Sequence, residues 1–141
     1  MQTEHTSSYK TVVKAPVTTV WEALTDPALV KQYFFGSDLL TNWKPGSQLI
    51  WRGEYEGQVY EDKGEVLEFH PNERLAFSYL SSWSGKEDLP ENYLLVTYSL
   101  RAIPEGTELT ITQSNYDAEK AAHSAENWNQ VIDGLKQIVE G

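Results

Sequence analysis

The chain has 141 residues and a mass of 16.0 kDa, enough for one cooperative core and short for two. Its formal charge of -10 comes from 21 acidic residues against 11 basic ones with no basic cluster, a field that repels phosphate backbones and excludes nucleic acid as a partner. Cysteine is absent, which removes disulfides, thiol nucleophiles, iron-sulfur clusters and thiolate zinc sites.

The first ten residues are polar and lack the apolar stretch of a secretion signal. Nowhere does an apolar run approach the roughly 18 to 20 residues that cross a bilayer. The expectation is a cytoplasmic protein with no membrane insertion. Residues 8–14 are rich in β-branched and aromatic types and read as a strand, closed by Pro16. From Val17 the period changes: Val17, Val20, Trp21 and Leu24 recur at three and four, the stripe of a short amphipathic helix. Asp26 and Pro27 supply the cap and first residue of a second short helix through Leu29, Val30 and Tyr33. The chain then loosens around residues 34–37.

Pro45 and Gly46 mark a turn before a strand over residues 49–55, and Gly57 reverses it into a long strand over 59–69. Gly64 inside that strand marks a bend or a close backbone approach. After the turn signal at residues 70–73, Leu75, Phe77 and Tyr79 alternate and line one face of the next strand. Residues 81–91 form a polar loop. Residues 93–102 and 108–116 resume the β pattern around a tight turn at Pro104, Glu105 and Gly106. Residues 118–140 close the chain as a long helix with Trp128, Val131, Ile132, Leu135, Ile138 and Val139 on one broad face. The predicted order is one strand, two short helices, five strands and a long helix, a single α+β domain over 1–141. A curved six-stranded antiparallel sheet then needs its apolar face covered, and the terminal helix is the one predicted element long enough to do it.

Several segments carry a family pattern. Lys14-Ala15-Pro16 with residues 20–27 resembles the opening of the START-like (SRPBCC) superfamily of helix-grip proteins. The segments around Trp43-Lys44-Pro45-Gly46, residues 64–77 and residues 127–136 narrow the resemblance to the activator-of-Hsp90-ATPase-homologue group in its bacterial single-domain form. That resemblance implies a helix-grip fold with a hydrophobic cavity between sheet and C-terminal helix. It implies no reaction, no cofactor and no chaperone activity. In the eukaryotic relative that activity is associated with a separate N-terminal domain, for which the few residues before the first strand leave no room.

Five tryptophans, eight tyrosines and four phenylalanines are ample for lining such a cavity, and tyrosine and tryptophan add a polar handle. The candidate ligand-binding residues are Tyr33, Phe35, Trp51, Tyr55, Phe77, Tyr79, Tyr98, Gln113, His123 and Trp128. Phe34 and Phe35 fall where the family fold places a mouth of the cavity. Gln113 alternates in phase with Leu109 and Ile111 and is read as facing inward or outward with equal weight. Arg52 reads as a surface residue paired with a carboxylate.

No catalytic residue is assigned. The histidines His5, His70 and His123 lie far apart, and no metal-ligand spacing, phosphate-cradling glycine spacing or nucleophile elbow occurs. The acidic pairs Glu61-Asp62 and Glu87-Asp88 fit solvated turns and strand ends better than acid and base roles. The leading reading is a binding protein for a small apolar or aromatic molecule. A cyclase- or hydrolase-like enzyme in the same cavity would need a polar group of perturbed pKa there, with His123, Tyr79 and Tyr98 first to examine. A protein-interaction role, with a chaperone or in a homodimer, would need an exposed apolar patch, sought at Phe34-Phe35, Leu39-Leu40 and Trp43.

Overall fold

A computed structural model describes residues 5–33, 38–81 and 86–140, apart from the side chains of Tyr55, His123 and Ala125. The elements follow one another as β1 (His5–Val13), α1 (Val17–Thr25), α2 (Pro27–Tyr33), β2 (Asp38–Leu40), β3 (Gln48–Tyr55), β4 (Gln58–His70), β5 (Arg74–Tyr79), β6 (Leu94–Ile103), β7 (Gly106–Asn115) and α3 (Ala118–Val139). All strands pair antiparallel in the order β1-β7-β6-β5-β4-β3-β2. The sheet therefore has seven strands and not the six expected. The added strand, β2, spans three residues, too few for alternation to show in sequence. It exists because Leu39 sits opposite Trp51 and buries its side chain, while Leu40 points outward.

The first strand also starts earlier than its composition suggests. His5, Thr6 and Ser7 carry no aliphatic or aromatic alternation, yet they complete the ladder opposite Asn115, Ser114 and Gln113. Alternate residues of β1 meet α3 through a polar seam. Ser7 Oγ donates to Ser124 Oγ at 3.1 Å, Tyr9 Oη to Asn129 Oδ1 at 3.1 Å, and Lys136 Nζ to Thr11 Oγ1 at 2.7 Å. Beneath this seam the apolar stripe of α3, Trp128, Val131, Ile132 and Leu135, is buried with Leu109 and Ile111 of β7 in the core. Asp117 caps the helix by accepting the Lys120 amide at 2.8 Å, and Asp26 does the same for the Ala28 amide of α2 at 2.9 Å.

Gly64 marks a close approach. A Cβ built there would stand 1.8 Å from the Ser78 carbonyl oxygen, so no other residue fits without moving β4 from β5. The β4–β5 register shifts just beyond, between Val66 and Glu68, and Ser78 Oγ accepts the Glu65 amide at 3.0 Å. This irregularity turns the end of β4 so that Phe69 rejoins Leu75 on the inner face.

Candidate functional site

The inner face of the sheet carries a row of rings. Strand alternation puts Trp51, Phe77, Tyr79 and Tyr98 on this face, and antiparallel pairing sets them side by side. Tyr79 meets Trp51 edge-on at 5.2 Å between centroids, Trp51 meets Phe77 at 5.4 Å, and Phe77 meets Tyr98 at 5.6 Å. Tyr98 reaches Trp128 of α3 at 5.7 Å, nearly perpendicular. Each contact has the tilted or edge-to-face geometry that ring quadrupoles favour. The row ends on the helix, where Trp128 Nε1 donates to Gln113 Oε1 at 2.8 Å.

Beside this row a cavity of about 10 Å³, room for one water-sized sphere, is lined by Leu24, Val30, Tyr33, Leu39, Trp43, Trp51, Leu75, Phe77 and Tyr98. Leu75, Phe77 and Tyr98 form its floor on the sheet. Its outer wall is made by Val30 and Tyr33 of α2, Leu39 of β2 and Trp43. Two side-chain hydrogen bonds pin this wall to carbonyls in the last turn of α1: Tyr33 Oη donates to Ala23 O at 2.6 Å, and Trp43 Nε1 to Thr25 O at 3.0 Å. Trp43 takes a left-handed backbone (φ 61°) and stacks on Phe69 at 5.6 Å, so it belongs to the packed wall and extends no outer patch. On its other side Tyr33 rests against α3, where a Cβ added to Gly134 would stand 3.0 Å from the Tyr33 Cβ.

At the far end of the row lies a carboxylate that sequence reading misplaced. The pair Glu61-Asp62 was expected to be solvated, but alternation separates its members across the sheet. Glu61 faces out and pairs with Arg52 at 2.8 Å. Asp62 faces in, is only 7% exposed, and accepts a hydrogen bond from Tyr79 Oη at 2.8 Å. A period-two count along β4 from Val66 back through Gly64 would have found it. In the other pair, Asp88 is half-exposed and takes Lys63 and the Tyr93 hydroxyl as partners, the latter at 2.6 Å. Those two groups hold its carboxyl below the usual range, Lys63 foremost.

The buried tyrosines share one electrostatic character. Burial raises the pKa of Tyr98 and of Tyr33, and it raises Tyr79 with the Asp62 charge adding to the effect. All three stay protonated at neutral pH, the opposite of what a general base requires, and Tyr33 and Tyr79 use the proton as hydrogen-bond donors. Among the described residues no three His, Asp or Glu side chains gather into a metal-holding group.

The structure thus brings Trp51, Phe77, Tyr79, Tyr98 and Trp128 into one connected row, with Gln113 bonded to its end and Tyr33 across the cavity. Phe35, with Phe34, lies outside the described residues. Tyr55 ends β3 and His123 lies in the second turn of α3, but their side chains are outside the description. Leu24, Val30, Leu39 and Trp43 complete the lining and were not singled out, because an aliphatic residue against a cavity has the same sequence signature as one in solid core. The exposed large apolar residues Val12, Leu40, Val59 and Leu89 stand on separate elements.

An antiparallel sheet gripping a C-terminal helix, with a row of rings between them, defines the helix-grip class. The cavity expected between sheet and helix lies instead between the sheet and the α1, α2 and Trp43 side of the fold, because rings such as Tyr98 and Trp128 meet directly where the helix crosses. The chain belongs to the activator of Hsp90 ATPase homolog 1-like protein family, whose model matches residues 14–140. It is similar to ChR145 of Cytophaga hutchinsonii, solved in solution, with 43% identity and a TM-score of 0.85 over 99% of this chain and 97% of that one. MLL2253 of Mesorhizobium loti, at 23% identity and a TM-score of 0.76 over 96% of each chain, shares the fold. DynU16, a protein of the dynemicin biosynthetic locus, is 25% identical with a TM-score of 0.79, and the match covers 97% of this chain but 48% of DynU16. No protein of curated function matches the sequence.

Proposed function

We propose that the protein binds a small apolar or aromatic molecule between the sheet and the wall formed by α2, Leu39 and Trp43. The observation that carries this reading is the composition of the cavity wall. Nine residues line it, none charged and five of them aromatic, on a floor of strand residues facing a wall held by two hydrogen bonds. An apolar lining with a few polar atoms is the usual make-up of a small-molecule site.

In the closed arrangement the space admits about one water, whereas a dry cavity that takes up benzene measures on the order of 150 Å³. Entry therefore requires Tyr33 and Trp43 to move away from Leu75, Phe77 and Tyr98, breaking their two bonds while β5 and β6 stay in place. The occurrence of a structural relative in a biosynthetic locus supports a small-molecule ligand over a macromolecular one.

Native mass spectrometry of freshly purified protein, with the same sample denatured, tests the reading alongside an amide NMR titration with naphthalene. Retention of a defined small molecule, or naphthalene-induced shifts centred on Leu75, Phe77 and Tyr98, is expected. A clean apo mass together with no shift in those amides would overturn it.

A further inference from the structure

The long helix is held by two different kinds of contact along its length. From Trp128 onward it buries Trp128, Val131, Ile132 and Leu135 against the sheet. Over residues 118–127 Ser124 is the one buried side chain among those described, and the others are alanine, glutamate, lysine and asparagine at exposed or half-buried positions. Ser124 is itself tied by a polar contact, accepting from Ser7 Oγ at 3.1 Å. An apolar stripe that begins only at Trp128 leaves these first turns without apolar anchorage, and a helical stretch shorter than about 12 residues is marginal by itself in water.

The segment that precedes β6 reaches these turns through one residue. Tyr116, just ahead of α3, donates from Oη to Asn92 O at 2.7 Å, and Lys86 Nζ stands 5.2 Å from the centre of its ring. The segment from Lys86 to Tyr93 is polar in the same way: Lys86, Glu87, Asp88, Leu89, Pro90 and Glu91 are all exposed. Asp88 fastens it by using both carboxylate oxygens. Oδ2 takes Lys63 Nζ of β4, and Oδ1 accepts from Tyr93 Oη at 2.6 Å. Asp88 thereby ties the segment to β4, and Tyr116 ties the segment to the start of α3. Regions with few buried apolar contacts and many solvent-exposed polar bonds are the ones that open while the core stays folded.

We propose that residues 86–93 and 116–127 form one local opening unit, a door at the end of the sheet where β5 stops and β6 begins, with Asp88 as its latch and Tyr116 as the link between its two halves. A helical side chain leans toward the N-terminus of its helix, so the Trp128 ring lies beneath the turn that Ser124 occupies. Opening lifts that turn and uncovers Trp128 and its partner Gln113 at the helix end of the ring row, while the stripe from Val131 to Leu135 keeps the rest of α3 docked. The cavity wall is fastened elsewhere, by Tyr33 and Trp43 to α1, so this movement is distinct from the opening of the cavity and holds whether or not the binding reading does.

Amide hydrogen exchange followed by NMR on the full chain tests this. Two groups of hydrogen-bonded amides report on the door: Leu89, Asn92 and Tyr93, which close the turns of the segment, and residues 121–127 of α3. In wild type both groups are expected to exchange with similar protection and at least roughly tenfold faster than residues 131–135. Asp88→Ala is expected to speed both groups by the same factor, about five- to tenfold, and to leave 131–135, β6 and β7 unchanged. In a Tyr116→Phe background the effect of Asp88→Ala on 121–127 should fall by at least half. Acceleration confined to Leu89, Asn92 and Tyr93, or spread evenly over the chain, would overturn the single opening unit, and an undiminished effect in the Tyr116→Phe background would overturn the link. Asp88→Asn, which keeps an acceptor for Tyr93 and removes only the charge, should speed the same two groups by a smaller factor and serves in place of Asp88→Ala should that variant fold poorly.

Discussion

The hydroxyl of Tyr79 on β5 and the carboxylate of Asp62 on β4 meet at 2.8 Å on the inner face of the sheet, beside the indole of Trp51. Two polar groups thereby occupy a face otherwise given to hydrocarbon, and each depends on its neighbours to stay there. Asp62→Ala removes a buried charged acceptor and is expected to cost about 2–3 kcal/mol in urea unfolding. Asp62→Asn keeps an acceptor and should cost clearly less, and in the double variant with Tyr79→Phe the losses should fall short of their sum. Equal losses from Ala and Asn would mean that a neutral acceptor of the same shape restores nothing, and would refute the acceptor role given to this side chain.

Tyr33 and Trp43 fasten the outer wall of the cavity to α1, so weakening one pin should loosen that wall and leave β6 and β7 undisturbed. Tyr33→Phe gives up the 2.6 Å bond to Ala23 O, a change of about 1 kcal/mol. Hydrogen exchange is expected to speed up for the amides of α2 and β2 by roughly fivefold, with those of β6 and β7 unchanged. Uniform acceleration across the sheet would show global destabilisation in place of local opening.

Gly64→Ala puts a methyl group where the Ser78 carbonyl already stands, 1.8 Å from the ideal Cβ position. Backbone must move on both strands, and the expected cost is about 3 kcal/mol. Gly57→Ala serves as a control of another kind: nothing lies within 4 Å of its Cβ, and only its φ of +80° opposes the change. Thermal unfolding should place Gly64→Ala well below Gly57→Ala, and the reverse order would refute the close-approach account.

Stability should fall at both ends of the pH scale for opposite reasons. Tyr33, Tyr79 and Tyr98 have folded-state pKa values raised above the ordinary value of 10.0, so unfolding at alkaline pH releases protons that the native state keeps. Their contribution is complete below pH 10 and is lost as pH rises above it toward the folded values. Tyr93, pushed up to about 12 by desolvation and by its bond to Asp88, adds to the same loss. Absorbance at 295 nm should therefore show a late tyrosinate phase that coincides with loss of circular dichroism. A late phase completed while the fold persists would contradict the burial of these hydroxyls. On the acid side, Glu68 and Asp88 are depressed by Arg74 and Lys63, so their support is present above the usual carboxylate pKa and disappears as pH falls through the lowered one. Both are exposed, and acid should weaken the fold only mildly through them.

Much of this protein was legible in its sequence because local periodicity is a local property. The three-and-four recurrence from Val17 to Leu24 and from Trp128 to Leu135 requires only that one helix face be apolar, and both faces are buried as read. Alternation likewise put Phe77 and Tyr79 on one face, whereas it left Gln113 open between the two faces until its bond to Trp128 placed it. Partnership is a different matter. That Asp62 lies inside against Tyr79 follows from the registers of β3 on β4 and β5 on β6, and that Leu39 forms a strand follows from Trp51 being its neighbour. Neither is encoded within a few residues of the position concerned, because each depends on segments brought together only when the sheet closes. The same holds for the cavity. Its wall joins residues of α1, α2 and Trp43 to strands β2, β3, β5 and β6, and whether such rings meet with a gap or without one is decided by packing in three dimensions.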